Sequence, residues 1–290
     1  MNMLVSLVSR HNKVFFRNRT LVFFSLLSVL ILIVLYAIFL QKTQLNAIEQ
    51  AVPLTPAVEL MVNEWMIAGL LSIIAVTTTL GVFSIYVKDL EMKTTADFLT
   101  TAASRMKIQL SYIISALIVG FTMSVFALIC CEIYLVIVGG KLLSLIAFLK
   151  VIGILLISVL LSCSVNLFIV LFIKTQAAFS TLSTIIGTAI GFFCGVYVPM
   201  AALPSYVQSM IQFFPISHTT VLLRQVLMED SITKVFLGNE EAAHNYKLSF
   251  GIAYDINATT ISSAVSLSFI GCTIVAVVFL SVAIYVRRYK

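Results

Sequence analysis

Six stretches of this chain run for about 20 apolar residues or more, at 21–40, 65–87, 109–138, 148–173, 179–198 and 262–286. That length decides what the chain can fold into. A helix of about 20 apolar residues crosses the roughly 30 Å hydrocarbon layer of a bilayer. Inside that layer every backbone N–H and C=O needs an internal partner, so the permitted spans are helices and closed barrels. Runs this long predict helices. The whole chain agrees: 61% of its residues are hydrophobic and 10% charged, against about 25% charged in a soluble domain. The expected fold is all-α, one polytopic membrane domain over 1–290 with six transmembrane helices. The first run is not read as a cleaved signal peptide, because its apolar core is too long and no small-residue cleavage pattern follows.

The basic residues orient the spans. Arg10, Lys13, Arg17 and Arg19 precede the first run, and Lys88, Lys93, Arg105 and Lys107 follow the second. Lys174, Arg287, Arg288 and Lys290 complete the same side, while Glu49, Glu59, Glu64, Glu229, Asp230, Glu240, Glu241 and Asp255 gather on the other. Both termini are therefore expected in the cytoplasm, with the chain in the plasma membrane. The net charge of +6 is a topology signal and calls for no nucleic-acid partner.

Cys130, Cys131, Cys163, Cys194 and Cys272 all fall inside apolar runs, without zinc-ligand spacing. His11, His218 and His244 are scattered, and the one acid inside a run is Glu132. No residue is assigned a catalytic or metal-ligating role. An intramembrane lipid-modifying enzyme would need His, Asp or Glu clustered at one membrane face. A non-transporting anchor or sensor is the other alternative.

Three features lie outside the plain spans. Residues 1–20 place Leu4, Leu7, Val8, Val14 and Phe15 on one side of a helix and Arg10, Lys13 and Arg17 on another. That pattern predicts a helix in the cytoplasmic interface, its cations toward lipid phosphates. Residues 88–107 are polar and longer than a hairpin needs. Thr95 is expected to cap a helix from Ala96 into Ala103, with Asp97 in its first turn and Leu99 and Ala103 on one face. Such a helix cannot bury that face alone and suits a groove on a cytoplasmic partner.

The third feature is Gly195–Gln225, which is apolar yet holds Pro199, Pro204 and Pro215, then His218 and Arg224. Pro199 is expected to end the fifth span and Pro204 to open a short helix. Val207, Met210, Ile211 and Phe214 alternate there with Ser205, Gln208, Ser209 and Gln212 at helical spacing. Pro215 stops that helix and a second follows. Each is too short to span, which predicts a re-entrant pair over 199–228 in the outer leaflet, followed by an outer loop over 229–258. His218 and Arg224 must find protein partners or the interface. Glu132 and Lys150 are equally spaced about Lys141, so an antiparallel hairpin would pair them. Asn257-Ala258-Thr259 and Asn18-Arg19-Thr20 match the glycosylation pattern.

In this layout the chain resembles the membrane subunits of type-two ATP-binding-cassette exporters, the class that includes drug, antibiotic and polysaccharide exporters. The resemblance rests on Gly195, Pro199, Leu203-Pro204, Pro215 and Arg224 after the fifth span, and covers essentially the whole chain. The family has an interfacial N-terminal helix and a cytoplasmic coupling helix after span two. The stretch Glu91 to Arg105 resembles the latter, with Leu90-Glu91-Met92-Lys93 in place of the usual Arg-Glu-Arg-Gly run. The resemblance implies that Glu91, Lys93, Thr95, Asp97, Leu99 and Arg105 contact an ATPase, and that a second membrane subunit, identical or related, completes a dimer. It also implies that Thr77, Thr78 and Ser84 of span two and Ser180, Thr184, Thr188, Phe192 and Phe193 of span five line the path of an amphipathic or lipid-like cargo. Multidrug resistance is one such role. No G-x-x-x-x-G-K-[ST] occurs, so ATP and its Mg²⁺ would be held by a separate nucleotide-binding subunit.

Overall fold

The structure, a computed structural model, describes residues 3–20, 55–100, 104–256 and 259–289, with scattered positions between 22 and 45. The expected first span, 21–40, lies mostly outside the described residues, as does Asn257.

Helix α1 covers Met3–Arg17, and α2 covers Pro56–Glu91. Thr55 is extended and Pro56 opens α2, the position where a missing N–H costs nothing. A short α3, Thr94–Leu99, leads to α4, Arg105–Ile137. Helices α5, Leu145–Val170, and α6, Gln176–Phe193, follow. Ser104, Ser144 and Thr175 cap α4, α5 and α6, their hydroxyls accepting from the N–H of Lys107, Ala147 and Ala178. A 3-10 turn at Met200–Ala202 precedes α7, Ser205–Gln212, and α8, Pro215–Leu227. Then come α9, Glu229–Val235, and α10, Glu240–Ser249. A two-residue antiparallel ladder pairs β1, Asp255–Ile256, with β2, Thr259–Thr260, before α11, Ser263–Tyr289.

Five of these helices, α2, α4, α5, α6 and α11, are long and apolar enough to cross a membrane. Helix α2 is the axis. It packs against α4, α5, α6 and α8 and is buried along most of its length. Asn166 of α5 donates to the Val76 carbonyl at 2.9 Å and to Thr79 Oγ1 at 2.8 Å. Gly120 lets α4 close on the same level, since a Cβ there would fall 2.6 Å from Thr79 Cγ2.

The two ends of the bundle can be told apart by their contacts. At one end, Tyr285 near the end of α11 donates to the Arg105 carbonyl, and α1 packs on α4 and α2. The C-terminal end of α11 and helix α1 therefore share an end of the bundle. At the other end, Arg224 reaches the carbonyls after α6, and Gln225 Oε1 accepts from Ser263 at the start of α11.

Several local expectations are corrected. Helix α6 stops at Phe193, six residues before Pro199, because Gly195 turns the chain at φ +60°. Pro204 precedes α7 as its cap, and Ser205 is the first helical residue. Residues 229–258 are not an open loop: Asn239 caps α10 by accepting from Ala242 N–H, and Gly238 and Gly251 turn the chain at positive φ. Thr95 caps nothing. It lies inside α3, and the cap position holds Lys93 at φ +60°.

Candidate functional site

The residues that carry chemistry gather at the two ends and along one outward face. At the α1 end, Asp89 in the last turn of α2 is almost fully buried. Arg10 grips it with two nitrogens, at 2.6 and 3.0 Å, and Tyr112 of α4 donates to the same carboxylate at 2.7 Å. Arg10 therefore faces protein and not lipid phosphate, as α1 turns Leu7, Val8, His11 and Phe15 inward. Lys13 and Arg17 remain exposed. The guanidinium also lies 5.1 Å from the ring centre of Phe98, so one side chain joins α1, α2 and α3.

His11 is stacked on Tyr112 with ring centres 4.0 Å apart. Its Nδ1 accepts from Arg10 and its Nε2–H donates to Ser111 Oγ, whose own proton goes to the Ile108 carbonyl. Only the neutral ring can serve both contacts. Burial, and then the Arg10 charge, push the His11 pKa down to about 4, against a smaller opposing pull from Asp89.

Glu91, the last residue of α2, accepts from the Gln176 N–H at 3.0 Å. That places a carboxylate on the positive N-terminus of α6. Gln176 Nε2 donates back to the Ser84 carbonyl at 2.6 Å. Lys93 and Asp97 are exposed, Thr95 is half-buried, and Arg105 opens α4 on the surface. The Leu99 side chain lies outside the described residues.

At the other end, Arg224 is 2% exposed. Its guanidinium donates to the carbonyls of Phe250 and Gly251 through Nη1, and of Cys194 and Gly195 through Nη2, at 2.8–3.2 Å. These carbonyls end α10 and α6, so one cation meets the negative ends of two helices. Its plane lies 4.4 Å from the Trp65 ring centre, and Trp65 itself donates to the Phe250 carbonyl at 2.7 Å. Gly195 and Gly251 allow this approach: they sit at φ +60° and +64°, with Arg224 Nη1 3.5 and 3.3 Å from where a Cβ would stand.

His218 is also buried. Its Nε2–H donates to the Gln212 carbonyl at 2.8 Å and Nδ1 accepts from Ser266 at 3.2 Å, which ties α8 to α7 and α11. Pro215 opens α8, Leu203 accepts from Gln208, and Pro199 introduces the 3-10 turn.

Glu132 and Lys150 do not form the expected ion pair. Glu132 Oε2 accepts from the Leu143 N–H at 3.2 Å, on the loop that joins α4 to α5, while Lys150 points to the surface. The hairpin symmetry set their depth but not their rotation about the two helix axes.

Along α6, Ser180, Thr184 and Thr188 are exposed, as is Phe192. The hydroxyls of Thr184 and Thr188 donate to carbonyls one turn back, leaving acceptor lone pairs outward. Phe193 turns instead onto Phe214, with ring centres 4.6 Å apart. On α2, Thr77 and Ser84 are half-exposed, but Thr78 is 1% exposed and donates to the Ile74 carbonyl. Thr78 packs inside the bundle and lines no open surface of this chain.

Asp89, Tyr112, Trp65 and Asn166 went unmarked as functional in the sequence. Trp65 is the chain's lone tryptophan, and Asp89 stands among cations on the basic side. Those were the available signals, and neither identified a partner.

The family model described as ABC-2 type transporter matches residues 3–228, from α1 to the end of α8. No curated protein matches the chain.

Proposed function

The chain belongs to the ABC-2 type transporter family, as a membrane permease subunit of an ABC transporter, and from that premise we propose that it exports an amphipathic or lipid-like cargo. That cargo is a drug, an antibiotic, or a lipid-linked or peptide natural product. ATP and Mg²⁺ belong to a separate nucleotide-binding subunit, because this chain has no phosphate-cradling G-x-x-x-x-G-K-[ST]. A second membrane subunit completes the path, and both termini are cytoplasmic.

The observation that carries the reading is the wiring of α3. This short helix sits at the basic end, with Lys93 and Asp97 exposed, and three contacts lead away from its neighbourhood. Phe98 lies under Arg10, Arg10 holds Asp89 of α2, and Glu91 holds the N-terminus of α6. Helix α6 carries the exposed hydroxyls, and the carbonyls just past its far end are held by Arg224. A push on α3 by closing ATPases therefore bears on the N-terminal end of α6, while its far end is held by Arg224. Nucleotide acts by stabilising one of two arrangements of the bundle over the other.

The outer segment 194–262 is read as a non-crossing cap. Residues 194 and 195 at its start touch Arg224, and Ser263, next after its end, touches Gln225, so the segment starts and finishes together. Helix α8 packs Ile216 in the cluster that holds Ile73 and Val76, midway along α2. Its last residues join the cluster with Val58 and Met61 near the start of α2. Its 13 residues span about 20 Å, too little to cross a bilayer. Backbone broken by prolines at that depth needs protein around it, which α2, α5 and α11 supply.

Affinity purification of the full-length chain is expected to recover a nucleotide-binding subunit in stoichiometric amount. Asp97→Arg, on the exposed face of α3, should lower ATP hydrolysis by that complex severalfold without changing the yield of this chain. Recovery with no ATPase, or hydrolysis indifferent to Asp97→Arg, contradicts the assignment.

A further inference from the structure

A groove of about 940 Å³ opens on the side of the bundle at its cap end, between α5, α8, α9, α10 and the start of α11. It is at the upper end of the roughly 300–1,000 Å³ typical of small-molecule sites. It is separate from the hydroxyl face of α6, none of whose residues line it.

The chemistry of its wall is divided. Lys150, Gly153, Ile154 and Ile157 enter it from one face of α5, at spacing 0, 3, 4 and 7. Lys247 and His244 of α10 line it as well, and Glu229 of α9 is the one acid in the wall. Among the described residues neither lysine has an ion-pair partner within 4.0 Å. Lys150 lies five residues into α5, about 8 Å along its axis, beside Ile146 and Leu149, which are exposed on the outside of the bundle. An ammonium at that depth is costly unless an anion meets it. Ile154, Ile157, Leu222 and Leu267 give the wall an apolar stretch, and the neighbouring Gln225 and Ser263 are bonded to each other.

We infer that this groove binds an anionic phospholipid, its phosphate between Lys150 and Lys247 and an acyl chain along Ile154, Ile157 and Leu267. The two-part wall matches a two-part ligand: charge at the rim, hydrocarbon deeper. A free phosphate would use the lysines and leave the apolar floor wet. The inference rests on the export reading only for which leaflet supplies the lipid, here the outer one.

The test is lipid retention by the full-length chain in detergent, read by native mass spectrometry with phosphatidylglycerol and phosphatidylcholine as probes. The wild-type protein should retain phosphatidylglycerol about thirtyfold more than phosphatidylcholine, the scale expected of two lysines near an anionic headgroup. Lys150→Ala with Lys247→Ala should erase that preference. Gly153→Trp should remove the bound lipid altogether, and the position has room, since a Cβ at Gly153 meets nothing within 4 Å. Inorganic phosphate should not displace the lipid. Equal retention of the two lipids by wild type, an unchanged preference in the lysine variant, full retention in Gly153→Trp, or displacement by inorganic phosphate would each overturn the assignment. The readout involves neither ATPase nor transport, so its failure leaves the export reading standing, and failure of that reading leaves the binding result intact.

Discussion

Arg224→Met is expected to stop nucleotide-driven transport and to destabilise the folded protein by about 3 kcal/mol or more. The side chains are similar in length, so the loss is one of hydrogen bonds and charge. The Phe250 carbonyl keeps its bond from Trp65, but the carbonyls of Cys194, Gly195 and Gly251 lose their donor. A buried acceptor left without a donor costs about 1–3 kcal/mol. The ring of Trp65 also loses the cation stacked on it. Arg224→Lys should recover only part of the loss, because one ammonium cannot serve carbonyls on two helix ends as a planar five-donor fork does. Thermal unfolding followed by size-exclusion recovery measures the effect. A wild-type midpoint for Arg224→Met would mean that α6 and α10 are held together by something else.

The second large effect is expected at the opposite end. Asp89→Ala leaves the Arg10 guanidinium and the Tyr112 hydroxyl without their shared acceptor. Arg10 is about one-third exposed, at 34%, and keeps some access to water. The cost is therefore nearer about 2 kcal/mol than the 3–5 of a fully buried broken pair. Helix α1 should loosen, and hydrogen–deuterium exchange over residues 3–17 should rise by at least tenfold. The same node sets a pH dependence. His11 is held at about 4 in the folded protein, below its ordinary 6.5. Its contribution is then fully present above pH 6.5, declines as the pH falls, and is lost through about pH 4. Exchange over α1 should rise across that interval in wild type and stay flat in His11→Gln compared at each pH. Unchanged protection in Asp89→Ala would show that apolar packing of Leu7 and Phe15 suffices to dock α1.

The spans were legible because length and hydropathy answer to the bilayer alone. Four of the five described membrane helices start within four residues of the runs read from sequence. The exception is α2, which begins at Pro56 and not near Trp65, because its first turns carry Glu59 and Glu64 and are helical without being apolar. The proline cluster was legible as a break, since proline removes a donor at a fixed place in the chain. What it breaks around was not. Arg224 was visible as a charge needing a partner, but its partners are carbonyls 26 to 30 residues away, and any residue type presents a carbonyl. Arg10 and Asp89 are 79 residues apart, and Glu91 and Gln176 are 85. No local spacing encodes such pairs. The Glu132–Lys150 expectation failed for the same reason: a hairpin fixes depth, while packing against α2 and the α4–α5 loop fixes which way each side chain turns.

The account depends on the two ends of the bundle facing opposite sides of the membrane, with α3 on the ATPase side and the cap on the other. Single cysteines at Leu237, 79% exposed beside Gly238, and at Met92, 66% exposed beside α3, test it directly. They are to be made in a chain whose five native cysteines are replaced. In intact cells a membrane-impermeant maleimide should label Leu237→Cys, and Met92→Cys only after the membrane is permeabilised. Labelling of Met92→Cys from outside, or of both positions from the same side, would contradict the account.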